Sequence, residues 1–282
     1  MKYSLAKPFT EGLALVSDRK GRYGYIDKGG TEVIEFKYDD GTPFSEGLAA
    51  VEQDGQFGYI DKTGTPVISF KFSGAYPFFD GLAAVRQNDS WGFINKIGNA
   101  VTAFKYSGAF RFREGLAIVT IGKKYTFIDK AGKEIVEPVY DKIYEFKNGL
   151  ATVELNFRYG IIDKKGKYIV EPKYHSITDF KEGFAIASTK DVSSEYFKPE
   201  MHAYVDAKGK FITPFKYAFA KPFSGGFAIV SDMLSNDGVI DSTGKEIIPT
   251  THKKLTVTPN GFTGVDGMGK TIHYDKKGNV LN

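Results

Sequence analysis

An all-β fold of eight tandem units, each about 34 residues long, is predicted by three observations. Two residue ladders run the length of the chain at a near-constant interval, aromatic residues reach 15% beside 32 glycines, and helix-forming residues never gather into a 3.6-residue period. The glycine of F-x-E-G-L-A recurs at Gly12, Gly47, Gly81, Gly115, Gly149, Gly183, Gly226 and Gly261. The acidic or amide residue of Y-I-D-K-x-G recurs at Asp27, Asp61, Asn95, Asp129, Asp163, Asp206, Asp241 and Asp275. Such a period marks an array whose units bury their apolar faces only against their neighbours.

Within one unit the elements follow in order. Residues 44–51, F-S-E-G-L-A-A-V, supply a strand, and Asp54-Gly55 is a hairpin signal because glycine accepts the positive φ of a tight turn. F-G-Y-I-D is the next strand, and K-T-G after Asp61 is a turn in which the carboxylate accepts from the turn's own backbone. T-P-V-I-S-F completes a three-stranded meander, with F-K-Y read as a short fourth segment. Leu48 and Ala50 alternate with Ala49 and Val51, so both faces are apolar and the meander must lie between neighbours. A propeller-like closed ring is the expected arrangement, with an open β-solenoid or superhelix as the alternative. Lys2-Tyr3-Ser4 matches Lys105-Tyr106-Ser107, and Val280-Leu281-Asn282 matches Val101-Thr102-Ala103. This phase predicts one domain over residues 1–282 whose N-terminal segment completes the last unit.

These motifs resemble the WG-repeat proteins of bacteria, whose consensus looks like F-x-E-G-L-A-x-V followed by W-G-Y-I-D-x-x-G-x-x-V-I. The eponymous pair is literal at Trp91-Gly92 and becomes Tyr23-Gly24, Phe57-Gly58 and Tyr159-Gly160 elsewhere. Tyr125-Thr126, His202-Ala203, Asp237-Gly238 and Thr271-Ile272 depart further. The resemblance implies a repeat scaffold used for binding, with no catalytic residues to carry over.

Composition excludes several classes. With no cysteine there is no disulfide framework, thiolate zinc site or cysteine nucleophile. A net charge of +4 is too small for a nucleic-acid surface, so no nucleic-acid partner is expected. No stretch is long and apolar enough for a membrane span. The start MKYSLAKPFTEG has neither an apolar signal region nor a cleavage site, which leaves a cytoplasmic chain or an exported one whose signal peptide lies outside this sequence. A monomer is expected.

The in-register residues have local explanations. The Asp ladder reads as turn caps and not as a ring of metal ligands, since D-K-x-G offers one oxygen ligand where a calcium loop needs several. Glu11, Glu46, Asp80, Glu114, Asn148 and Glu182 read as turn polarity, against the alternative of an acidic channel mouth. Lys28, Lys62, Lys96, Lys130 and Lys164 read as a solvated surface. Phe44, Phe78, Phe112, Phe146, Phe180 and Phe223 read as core. Tyr23, Phe57, Trp91, Tyr125 and Tyr159 read as packing between copies, with stacking on sugars as the alternative.

Departures from symmetry point to function. The sixth copy is lengthened by nine residues between its first two long strands, from Ser188 to His202. Long hairpin connections on rigid scaffolds display binding groups, so Asp191, Glu195, Tyr196, Phe197 and His202 are the candidate partner-binding residues. The four histidines show no metal-ligand spacing, and nucleophile-elbow, Walker and Rossmann patterns are missing, so neither cofactor, metal nor catalytic residue is assigned. The expected function is a non-enzymatic binding scaffold for a protein or peptide partner, with carbohydrate as the alternative ligand.

Overall fold

The computed structural model describes residues 3–190 and 199–281, and among these it consists of strands and turns with no helix. Each copy folds into an antiparallel meander whose strands follow one another across the sheet in chain order. The second copy runs Asp40–Gly41, Ala49–Gln53, Gln56–Ile60 and Pro66–Phe72. The expected fourth segment is therefore placed differently: F-K-F ends the seven-residue strand Pro66–Phe72, and the extra strand is a dipeptide that opens every described sheet but the last.

The turns follow from the residues. Gln53 pairs with Gln56 across Asp54-Gly55, both at positive φ (53° and 76°), which is the mirror-image turn that matches the twist of a hairpin. The E-G dipeptide makes a second such turn, with Ser45 and Leu48 exchanging backbone hydrogen bonds of 2.9 and 3.2 Å across Glu46-Gly47. The glycine of the eponymous pair has another reason. A Cβ on Gly58 would stand 2.7 Å from the backbone oxygen of Ile68, because the last strand bulges toward this point between the pairs Phe57–Phe72 and Tyr59–Ile68.

Chain packing divides the protein into two compact units, residues 1–149 with 164–166, and residues 150–163 with 167–282. In the first unit the cores lie between successive sheets. Ala49 and Val51 join Leu13, Leu15 and Tyr25 in one cluster, while Leu48 and Ala50 join Phe78, Ala83 and Val85 in the next. Alternate residues of one strand thus feed the cores on its two sides, as the apolar character of both faces requires. The second unit repeats the scheme: Ile186 and Tyr204 pack with Ala228, Val230 and Ile240, and Ile229 and Val239 pack with Leu255 and Phe262. Burying each leucine, isoleucine, valine or phenylalanine of these clusters stabilises the fold by about 1.5–3 kcal/mol before entropy is counted.

The expected role of the N-terminal segment is corrected by its hydrogen bonding. Leu5–Ala6 pairs with Val16–Ser17 in the first sheet, and the last sheet is assembled from Lys254–Thr258, Gly261–Val265, Thr271–Asp275 and Val280–Leu281. The structural repeat begins at the opening dipeptide strand, so Leu5 stands at the start of a sheet and not in the middle of one.

Candidate functional site

The Asp ladder is committed to its own turns. Asp61 Oδ1 accepts from the backbone N–H of Thr63 (2.9 Å) and Thr65 (3.0 Å), Asp206 Oδ1 accepts from Lys208 and Lys210, and Asn95 serves Ile97 and Asn99 in the same way. Among the described residues no group of three metal-ligating side chains forms.

The Glu ladder does more than solvate a turn. Each carboxylate crosses to the next copy and accepts from the backbone of its E-G turn. Glu46 reaches Gly81 N at 3.0 Å, Glu114 reaches Gly149 N at 2.9 Å and Asn148 N at 2.8 Å, and Glu182 reaches Gly226 N at 2.9 Å and Gly225 N at 2.8 Å. The lysines after the Asp ladder then close on these carboxylates: Lys62 on Glu11 (3.0 Å), Lys96 on Glu46 (3.2 Å) and Lys164 on Glu114 (3.0 Å). Neither a channel mouth nor a merely solvated lysine face describes this arrangement. It is a latch between adjacent copies. The turn alone favours Asn or Asp at its left-handed first position, where Glu46 has φ 55°. Glutamate there supplies the reach to the next copy. The Lys164 ammonium, opposed by desolvation and assisted by the Gly149 and Asn148 N–H groups, holds the Glu114 carboxyl below its ordinary value.

Of the residues expected to bind a partner, Asp191, Glu195, Tyr196 and Phe197 lie outside the described residues. His202 is not a loop residue. It sits in the strand Met201–Asp206, pairs with Ser188, and occupies the position held by Trp91 in the third copy, bridging to Tyr217 as Trp91 bridges to Tyr106. Ser188 and Thr189 likewise belong to the preceding strand, so the lengthened connection covers residues 190–200.

An aromatic-walled concave site lies elsewhere, in the first unit. Three successive copies place Tyr76, Phe110 and Tyr144 at one equivalent position, where Thr42 and Thr178 stand in the flanking copies. These rings line a cavity of about 440 Å³ with Pro77, Phe79, Ala109, Arg111, Ile118, Ile143 and Glu145. The position follows the opening dipeptide strand and precedes the E-G turn, so a short segment pinned at both ends carries each ring. The groove rings rest on the eponymous ladder: Tyr76 stacks on Trp91 (centroids 5.0 Å apart, 20° between planes) and Phe110 on Tyr125 (6.3 Å, 25°). Trp91 and Tyr125 are accordingly half-buried. In three copies a core tyrosine donates to the carbonyl at this position, Tyr25 to Thr42 and Tyr59 to Tyr76 at 2.7 Å and Tyr204 to Lys221 at 2.6 Å. Phe93 and Phe127 replace that tyrosine in the third and fourth copies and bring no hydroxyl to this region.

At the groove edge, Arg111 Nε and Nη2 donate to Glu145 Oε1 at 3.0 and 2.7 Å, and Arg113 Nη1 donates to Oε2 at 2.5 Å. Desolvation alone would raise the Glu145 carboxyl, but the two guanidinium groups hold it below its ordinary value. The Arg111 guanidinium also lies over the Phe79 ring, 5.1 Å from its centroid. Two cations against one carboxylate leave the edge positive. Sequence reasoning missed this site, although its signal was present as an aromatic residue repeated at 34-residue spacing in three copies and replaced by threonine on either side.

Sheet order and turn chemistry define an all-β tandem-repeat protein. The chain belongs to the WG containing repeat family, whose model matches residues 23–56, 57–90, 91–125, 125–156, 159–191 and 203–232. No curated protein matches it. Among solved structures it is similar to BamB from Moraxella catarrhalis, with 12% identity, a TM-score of 0.44, and 95% of this chain and 94% of that one covered. It is also similar to Hsv2p of Kluyveromyces lactis, with 10% identity, a TM-score of 0.37, and 86% and 96% covered.

Proposed function

We propose that the protein is a non-enzymatic binding scaffold and that the groove between Tyr76, Phe110 and Tyr144 receives the apolar side chains of a protein or peptide partner. The observation that carries this reading is the confinement of the three groove rings to successive copies of a position that holds threonine or lysine in the others. Residues shared by every copy maintain the fold, whereas residues particular to a few are free to serve a ligand. Concave sites of this size with aromatic walls and a few polar groups at the edge are the usual form of a binding site.

Carbohydrate is the second reading, supported by the ring faces of Tyr76 and Phe110. The peptide reading is favoured because sugars need many directed hydrogen bonds, and the groove's charged groups, Arg111 and Glu145, are already paired with each other. The connection bearing Asp191, Glu195, Tyr196 and Phe197 is proposed, from the sequence alone, as a second partner contact. The closed ring is likewise retained as a proposal for the whole set of copies, on the apolar character of both sheet faces, with the open superhelix as its alternative.

The test is selection of a phage-displayed peptide library on the intact protein, with counter-selection on the Phe110→Ala/Tyr144→Ala variant, beside a glycan array. The reading predicts enriched peptides rich in aromatic or branched apolar residues that lose affinity for the variant. Saturable glycan binding with no peptide enrichment would reverse the order of the two readings.

A further inference from the structure

The rings of the groove are not its only departure from the repeat. The segment that carries each ring runs on to the turn of the ladder glycine, and in three copies it reads Lys7-Pro8-Phe9-Thr10, Thr42-Pro43-Phe44-Ser45 and Lys221-Pro222-Phe223-Ser224. In the fourth copy the proline and the hydroxyl residue give way together to Arg111 and Arg113. In the fifth and sixth they become an acid and a lysine, Glu145 with Lys147 and Asp179 with Lys181. The version with two cations is thus confined to the copy that supplies the middle ring, Phe110, between Tyr76 and Tyr144.

The charge balance at this edge depends on which groups are already spent. Asp80 Oδ2 accepts from Gly115 N at 2.9 Å, Glu114 is held by Lys164 and the Gly149 N–H, and Asp141 accepts from Lys124 Nζ at 2.6 Å. Arg111 and Arg113 have Glu145 as their carboxylate, and three N–H groups already point at its two oxygens. One carboxylate cannot satisfy two guanidinium groups, each of which is a fork of several N–H donors. Lys142 adds a third cation: its Nζ lies 4.5 Å from the centroid of the Tyr144 ring, and no carboxylate among the described residues pairs with it. The Arg111 and Arg113 side chains are 48% and 43% exposed, so their remaining donors stay open to a ligand beside an apolar cavity.

We propose that the peptide received by this groove carries aspartate or glutamate beside its apolar anchors. The acidic side chain docks on the surplus donors of Arg111 and Arg113, with Lys142 adding to the positive field, while the anchors fill the space between Tyr76, Phe110 and Tyr144. This rests on the peptide reading of the groove and adds the partner's charge to it. Guanidinium groups already oriented by Glu145 meet a carboxylate in fork geometry and lose little side-chain freedom on binding. Charge pairs at the edge of an interface act mainly on the choice of partner and the rate of encounter.

The test is an array of synthetic peptides that covers all spacings of paired aromatic and branched apolar anchors, each pair flanked by Asp/Glu, by Ser/Gly or by Lys/Arg. It is titrated with the intact protein and with the Phe110→Ala/Tyr144→Ala variant. Acidic flanks are expected to bind about fivefold tighter than neutral ones and basic flanks more weakly, with the difference shrinking as salt is raised. Arg113→Glu/Lys142→Glu is expected to reverse the order of acidic and basic flanks while the neutral peptides stay within about twofold of their parent affinity. Neutral peptides that bind the parent and lose affinity for the groove variant, with no gain from acidic flanks, would overturn the proposal and leave the peptide reading standing. A folded charge-reversed variant that still prefers acidic flanks would also overturn it. Failure of every peptide to bind the parent would overturn both.

Discussion

Glu114 and Lys164 meet across 50 positions of sequence, with Lys164 Nζ 3.0 Å from Glu114 Oε2 and 2.8 Å from the Glu114 backbone oxygen. The same carboxylate accepts from Gly149 N, so a single side chain ties a turn of its own copy to two turns of the next. Both side chains remain partly exposed, which limits the ion pair to the small stabilisation typical of surface pairs. Glu114→Ala is expected to lower unfolding stability by about 1 kcal/mol, chiefly through the lost backbone hydrogen bonds. Urea denaturation measures it, and Lys164→Met should cost less because it leaves those backbone bonds in place.

The latch also sets an acid limit. The Glu114 carboxyl is lowered from 4.5 by Lys164 and the turn N–H groups, and Glu182 is lowered from the same value by Gly226 and Gly225 N–H. A carboxyl whose folded pKa lies below its unfolded value contributes stability that is complete above the unfolded value and is lost as pH falls through the folded one. Melting temperature should therefore be flat from neutral pH down to about 4.5 and decline below it. Glu114→Gln and Glu182→Gln should each make that decline shallower.

The eponymous glycine is a packing requirement. Gly58→Ala would push a methyl to 2.7 Å from the Ile68 backbone oxygen, with no flexible side chain able to yield. A loss of roughly 2–4 kcal/mol is expected. Gly55→Ala, where nothing lies within 4 Å and only the positive φ of 76° opposes the methyl, should cost about 1 kcal/mol. Calorimetry of the two variants separates close approach from backbone conformation.

The long connection of the sixth copy can be removed with little effect on folding. Its flanking strands already pair through Ser188–His202 and Thr189–Met201, so replacing residues 190–200 with the Asp-Gly of the second copy closes a register that exists. Loop length enters closure entropy only weakly, and the melting temperature should stay within a few degrees of the parent.

The fold was legible where its causes are local. Asp54-Gly55, the D-K-x-G turns and the alternation of Leu48 and Ala50 with Ala49 and Val51 each act over a few residues, and each appears in the structure as read. The latch was not legible, because Glu114 and Lys164 each have a sufficient local explanation and only the stacking of two sheets brings them together. His202 misled for a related reason: proximity to an insertion looked like membership of it, while its strand register places it at the Trp91 position. The groove was overlooked because Tyr76, Phe110 and Tyr144 were absorbed into a generally aromatic composition. Tyr76 and Phe110 are exposed and Tyr144 is half-buried, whereas Phe78, Phe112 and Phe146, two residues further on in the same short segments, are buried.

The central claim is that the Tyr76, Phe110 and Tyr144 groove is where the partner binds, and the chain carries its own reporter for it. Trp91 is the sole tryptophan and stacks on Tyr76 at the groove wall. Intrinsic fluorescence during titration with a library-selected peptide is therefore the most direct measurement. The account predicts a saturable change in Trp91 emission that follows binding and disappears in the Phe110→Ala/Tyr144→Ala variant. A peptide that binds with unchanged affinity to that variant while Trp91 emission stays constant would contradict it.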